Sequence, residues 1–321
     1  MKAIILAGGH ATRLWPITKN RAKPLLPLGE KPIIEYIIEG MSEEVDEIII
    51  STNEKFSEDF EDYTDEYGRE NARVVVENQD SEEEKPGTIG AIINLIETEN
   101  LNDNLLIVGG DNYYSFDIDE FVRFAREKDT PANVVYDVGS KEKAQGFGIV
   151  DTDSDKITDF KEKPNNPPST LASTACYYFP KDQLSLFNEY EEHFKKTELT
   201  ADQYLDEPGR LIEWAHNQTP MHAYSFEGDW FDIGTVEGYL DSTKALIGDS
   251  LIEGEVEDTR IGENVVIMEG AKVVNSRLDN TIVFPDAHIE DSEVRRSIID
   301  NDVEIANTEL NDAVLGEHSN L

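Results

Sequence analysis

Apolar positions recur along this chain in three rhythms. From residue 2 to about residue 130, short apolar runs alternate with helical stripes. Lys2-Ala-Ile-Ile-Leu-Ala7, bounded by Gly8 and Gly9, has the pattern of a strand buried on both faces. Pro32 suits the first turn of a helix whose stripe is Ile33, Ile34, Ile37 and Ile38. Glu47 to Thr52 and Arg73 to Glu77 read as strands, with an acidic, partly helical segment over 54–66 between them. An acidic run, Asp80 to Glu84, leads to Pro86-Gly87-Thr88 and a helix with Ile89, Ile92, Ile93 and Ile96 on one face. Leu105 to Val108 is a strand ending at Gly109-Gly110-Asp111-Asn112, and Asp117 starts a helix bearing Phe121, Phe124 and Ala125. Strand and helix in alternation predict an α/β fold with a mostly parallel sheet and right-handed crossovers. Ligands in such sheets sit beyond the carboxyl ends of strands, where Gly8-Gly9 and Asp111 both fall.

Between 132 and 232 the rhythm loosens into strands, a loop with Pro164, Pro167 and Pro168, and helices near 181–195 and 201–217. Asp229-Trp230-Phe231-Asp232 follows a further strand, and Thr235 to Leu246 reads as a closing helix. The third rhythm fills the end of the chain. Ile267, Val273, Leu278, Val283, Ile289, Val294, Ile299, Ile305, Leu310 and Leu315 stand 6, 5, 5, 6, 5, 5, 6, 5 and 5 residues apart, a period of 16. One inward aliphatic per side, with Asn, Asp and Gly turns between, describes a triangular β-solenoid of about three coils. Two domains are expected, 1–245 and 246–321.

Charge changes the picture. Among 321 residues, Lys and Arg number 28 and Asp and Glu 68, a net charge of −40. Nucleic acid and anionic lipid repel such a surface, so neither is an expected partner. The excess suits a protein kept soluble at very high salt. Cys176 is the only cysteine, which excludes an intrachain disulfide and fits a reducing cytoplasm. No apolar run reaches the roughly 18 residues of a membrane span. An even spread of 68 acids over 321 positions would put about six in the first 29, yet the first acid is Glu30. The same window holds Lys2, Arg13, Lys19, Arg21 and Lys23. A basic window in an acidic chain points to an anionic ligand. Glycines after a buried strand let backbone N–H groups approach a phosphate, Arg13 offers a planar fork and Lys23 a point charge.

Leu6-Ala-Gly-Gly-His-Ala-Thr-Arg-Leu-Trp-Pro-Ile-Thr18, followed by Lys23-Pro24, resembles the signature of sugar-1-phosphate nucleotidylyltransferases. Ile107-Val-Gly-Gly-Asp-Asn112, Phe160-Lys-Glu-Lys-Pro164 and Trp230-Phe-Asp-Ile-Gly-Thr235 are similar to three further motifs of that family, in the same order. Together they span residues 1 to about 245. The nearest likeness is to the glucose-1-phosphate thymidylyltransferase and uridylyltransferase branch. Arg-Leu-Trp-Pro also resembles the guanylyltransferases that act on mannose-1-phosphate. The resemblance implies a Rossmann-like domain with helices on both faces of the sheet, and a terminal left-handed β-helix.

It also implies roles. A sugar-1-phosphate oxygen would attack the α-phosphorus of a nucleoside triphosphate and release pyrophosphate, a transfer that depends on alignment and charge neutralisation. Gly8 and Gly9 would approach the phosphates, Arg13 would hold the triphosphate and Lys23 the reacting phosphates. Asp111 and Asp232 would bind Mg²⁺. Lys163 would hold the sugar phosphate and Glu162 the sugar hydroxyls, with Gly148 and Thr174 lining the sugar pocket. Gln79 and Gly87 fall where the pyrimidine branch reads the base. Ala11 stands where the family signature has glycine. An inactive relative acting as a sugar-nucleotide sensor would lack one of these carboxylates or cations, and all are present. The solenoid implies a homo-oligomer.

Overall fold

The first apolar run forms the strand Lys2–Leu6, with Ala3, Ile4 and Ile5 wholly excluded from solvent. It lies inside a nine-stranded sheet ordered 72–76, 47–52, 2–6, 105–109, 171–179, 132–137, 222–225, 156–162, 148–153. Ile4 sits opposite Ile49 on one side and Ile107 on the other. This computed structural model describes residues 1–41, 45–67, 69–77 and 87–321.

The sheet is parallel across 72–76, 47–52, 2–6 and 105–109, where helices separate the strands in sequence. Beyond them it is mixed. The strand Leu171–Phe179 enters antiparallel to both Leu105–Gly109 and Ala132–Asp137. Gly148–Asp153 and Lys156–Glu162 form a hairpin closed by two residues, Ser154 and Asp155. A turn that short can join only antiparallel strands, which is why the alternation of strand and helix is lost there.

The predicted helices are present with small changes at their ends. Ile33–Glu39 buries Ile33, Ile34, Ile37 and Ile38, and begins one residue after Pro32. Asp117 caps Ile118–Lys128, its carboxylate accepting the Asp119 N–H at 2.9 Å. The helix expected over 201–217 is two, Ala201–Leu205 and Pro208–Ala215. Pro208 lacks the N–H that an unbroken helix needs, and the break leaves Glu207 at a corner. No helix among the described residues is long and apolar enough to cross a membrane.

The solenoid keeps its period. Parallel ladders step by 16 residues, from Lys272 to His288 to Glu304 and from Arg277 to Glu293 to Glu309. Of the ten phased aliphatics, the eight from Ile267 to Ile305 are fully buried, and Leu310 and Leu315 are half-buried. The solenoid begins earlier than the phased aliphatics, at Ser250–Ile252, because the step from Glu255 to Lys272 is 17 residues and breaks the phase. Its corners explain the Asn, Asp and Gly content. Asn264, Asn280, Arg296 and Asp312 form one column of left-handed residues, and Gly270, Asp286, Asp302 and His318 another. Asn, Asp and Gly tolerate that conformation best. Hydroxyls tie the coils together: Ser292 N–H donates to Ser276 Oγ, and Thr308 N–H to Ser292 Oγ, each at 3.0 Å.

The chain divides into two compact units. One comprises residues 1–8, 37–110 and 114–230 and holds the whole nine-stranded sheet. The other comprises 9–36, 111–113 and 231–321, so the solenoid shares its unit with the segment that follows Gly8.

Candidate active site

In the second unit, the basic window becomes two single-turn 3-10 helices, Thr12–Leu14 and Lys23–Leu25. An added Cβ on Gly9 would meet no described atom within 4 Å, so that side of the turn is open. Arg13 is exposed and has no hydrogen-bond or ion-pair partner among the described residues, although the chain carries 68 acids. Lys23 Nζ lies 2.5 Å from Asp111 Oδ2 in a largely buried pair. The other Asp111 oxygen accepts from Asn112 Nδ2 at 2.8 Å. The Asp111 carbonyl accepts the N–H of Ile233 at 3.0 Å, which sets Asp111 beside the turn that carries Asp232. Thr235 ends that turn and caps Val236–Ile247, its Oγ1 accepting the Gly238 N–H at 3.1 Å.

The Asp111 and Asp232 carboxylates stand on neighbouring backbone, and carboxylate oxygens are hard donors whose chemistry fits a divalent cation such as Mg²⁺, which takes one or two carboxylates and completes its shell with phosphate and water. Ala11 lies at φ 46° and ψ 43°, the left-handed conformation. This explains glycine at that place in the signature, since a Cβ there costs about 1–2 kcal/mol. Ala11→Gly should therefore stabilise the fold by about 1 kcal/mol, or roughly 2 °C in Tm. A lower Tm by calorimetry would contradict that account.

In the first unit, Gly8 follows the strand Lys2–Leu6 and packs against a carboxylate. A Cβ there would lie 2.5 Å from Glu77 Oε1. Burial pushes the Glu77 carboxyl above its ordinary range, partly offset by the Ser51 hydroxyl, which donates to Oε1 at 2.9 Å. Asn53 is buried, and its Nδ2 donates to the Gly8 carbonyl at 2.9 Å. Sequence reading missed both residues. Glu77 is one acid among many, and only the pairing of Ala72–Val76 with Glu47–Thr52 marks it out.

Around Lys163, the same unit gathers a charged cluster. Lys163 has φ 43°, and its Nζ lies 2.6 Å from Glu207 Oε1 and 3.6 Å from Glu162 Oε1. Burial disfavours the lysine charge, but the Glu207 hydrogen bond and charge outweigh it and hold its pKa above the usual range. Lys163 correspondingly holds Glu207 low. Burial raises Glu162, against the pull of Lys163. Two glycines bracket Glu162. A Cβ on Gly148 would come within 2.9 Å of its Oε2, and one on Gly209 within 1.7 Å. Gly209 and Glu207 were not legible in the sequence, because their contacts with Glu162 and Lys163 join segments more than 40 residues apart.

The remaining predicted residues divide. Gly87 opens the helix Gly87–Thr98 at φ 68°, and a Cβ there would lie 2.6 Å from the Leu205 backbone, so close packing requires the glycine. Thr174 is fully buried, and its hydroxyl donates to the Val134 carbonyl at 3.0 Å inside the sheet. Gln79 lies outside the described residues.

Known proteins resemble this chain over most of its length. The bifunctional protein GlmU of Methanocaldococcus jannaschii is 30% identical over 278 residues, covering 84% of this chain and 61% of that protein, so the chain spans less than two thirds of that relative. A glucose-1-phosphate thymidylyltransferase of Streptomyces antibioticus is 29% identical, covering 87% of this chain and 76% of that one. A solved Bacillus anthracis structure, assigned as a glucose-1-phosphate thymidylyltransferase and holding a sucrose, superposes with a TM-score of 0.63 at 26% identity, covering 76% of this chain and 94% of the other. Residues 2–248 match the nucleotidyl transferase family from the first strand to the end of the helix before the solenoid, and the chain belongs to that family.

Proposed function

We propose that this protein joins a nucleoside triphosphate to a sugar-1-phosphate, with glucose-1-phosphate and dTTP or UTP as its substrates, and releases pyrophosphate. The observation that carries the reading is the basic window, where Arg13 has no partner among the described residues of an acidic chain and Lys23 is seated on Asp111. Arg13 binds the triphosphate by its planar fork, and Lys23 neutralises the phosphates at the reacting centre. Lys163 binds the phosphate of the sugar, held charged and in place by Glu207 and Glu162. Its left-handed backbone is a strained feature of the kind that persists at binding sites. Asp111 and Asp232 hold Mg²⁺, which when bound supplies positive charge to the transferring phosphoryl oxygens. Gly9 leaves room for the phosphates to approach the backbone, while the space a side chain at Gly8 would take is filled by the Glu77 carboxylate. The sugar-phosphate oxygen then attacks in line, and the chain's contribution is alignment and charge.

The protein is read as cytoplasmic, with its solenoid serving self-association. A matrix of triphosphates against sugar-1-phosphates, followed by pyrophosphate release, tests the activity. Turnover with no pair refutes it, and turnover with GTP and mannose-1-phosphate alone moves the chain to the guanylyltransferase branch. Lys163→Ala should raise KM for the sugar-1-phosphate about 10–100-fold with a smaller change in kcat, the loss of one charged hydrogen bond. An unchanged KM removes Lys163 from the site.

A further inference from the structure

The segment that carries Arg13 and Lys23 is fastened at its middle to the solenoid, within the second unit. Between its two 3-10 turns it has no regular structure of its own, so its position depends on what it packs against. Leu14 and Ile17 are fully buried in one apolar cluster with Phe284 and Ile298 of the solenoid. An added Cβ on Gly316 would lie 2.7 Å from Pro16 Cβ, so the last coil touches the segment directly. The Arg21 guanidinium lies 5.1 Å from the centre of the Phe284 ring, and its Nη1 is 3.3 Å from Asp300 Oδ1. The Asp300 side chain is only 6% exposed, and its Oδ1 also accepts the Asn301 N–H at 2.9 Å.

Burying a carboxylate is a weak route to stability, because desolvation offsets the attraction between the charges. Its return is geometric, since a buried pair fixes one arrangement of the two elements that contribute to it. Arg21 is two residues from Lys23 and eight from Arg13, on a segment too short to absorb a shift without passing it on. We propose that Asp300 is a positioning residue, which through Arg21 fixes the segment presenting Arg13 and Lys23. The solenoid is then part of the phosphate-binding apparatus as well as an assembly element. The inference rests on the proposed nucleotidyl transfer.

Kinetics and hydrogen exchange on Asp300→Asn, Arg21→Ala and the double variant test it. Each single change should lower kcat/KM for the triphosphate about 10–100-fold, the effect of a roughly 1 Å misplacement. The double variant should be no worse than the poorer single one, because both remove the same tie. Amides over 12–25 should exchange faster in all three. Wild-type kcat and KM with only a lower Tm would make the pair a purely structural tie and overturn the proposal, as would additive losses. Should Asp300→Asn fail to fold, the partly exposed Arg21→Ala decides on the same readings. Exchange separates the two claims. Faster exchange in variants of a wild type that turns over no pair refutes the assigned reaction while upholding the tie. Unchanged exchange overturns the tie whatever the activity.

Discussion

Asp111→Ala and Asp232→Ala should each lose most turnover, about 10²–10³-fold in kcat, the usual effect of removing one well-placed electrostatic group from a reacting centre. The loss should come from different sources. Without Asp111, Lys23 loses its 2.5 Å partner, so the cation and the metal donor are both displaced. Without Asp232, the Lys23 pair survives and only the second proposed metal donor is missing. Asp232→Ala should therefore recover more activity at high Mg²⁺ than Asp111→Ala does. Chelation should silence the wild type, and added Mg²⁺ should restore it. Pyrophosphate release measured across a Mg²⁺ titration checks each point. Wild-type rates in both variants at limiting Mg²⁺ would show that these carboxylates are not the metal donors.

Raising KCl from 0.1 to 2 M should raise the melting temperature. With 68 acids and 28 basic residues, pairing every cation would still leave 40 acids unpaired. Like-charge repulsion therefore opposes folding, and salt shortens its reach from about 10 Å at 0.1 M to about 3 Å at 1 M. Salt also weakens surface ion pairs such as Lys195–Glu191, but those contribute little to stability. The repulsive term dominates, and each kcal/mol recovered adds roughly 2 °C in a chain of this length. Activity should persist or rise over the same range. The partly enclosed Lys23–Asp111 pair is screened less than the outer surface, while the repulsion that keeps anionic substrates away is screened more. A calorimetric Tm that falls steadily with KCl would refute a fold adapted to high salt.

The two kinds of pattern were not equally legible. Local rules were enough for the elements. Ile33, Ile34, Ile37 and Ile38 specify a buried helical stripe, Asp117 caps its helix, and the period of 16, with Asn, Asp and Gly turns between, specifies the coils. The residues of the four motifs were also visible, because each motif is contiguous and lies where an element ends. What chain distance hides was not visible. Asn53 and Glu77 meet Gly8 from 45 and 69 positions away, and Glu207 reaches Lys163 across 44.

By itself, the sequence determined the strands and helices of the first 130 residues, the period of the coils, and where a cluster of cations stands apart from an acidic body. Periodicity and composition act between near neighbours, so they can be read along the chain. Only the tertiary structure decided that the second half of the sheet is mixed, that Thr174 spends its hydroxyl on the Val134 carbonyl, and that Asp300 lies against Arg21. Those are outcomes of strand order and of packing between distant segments. Many acids in this chain could have met Arg21 on charge alone, and the geometry of the solenoid selected one of them.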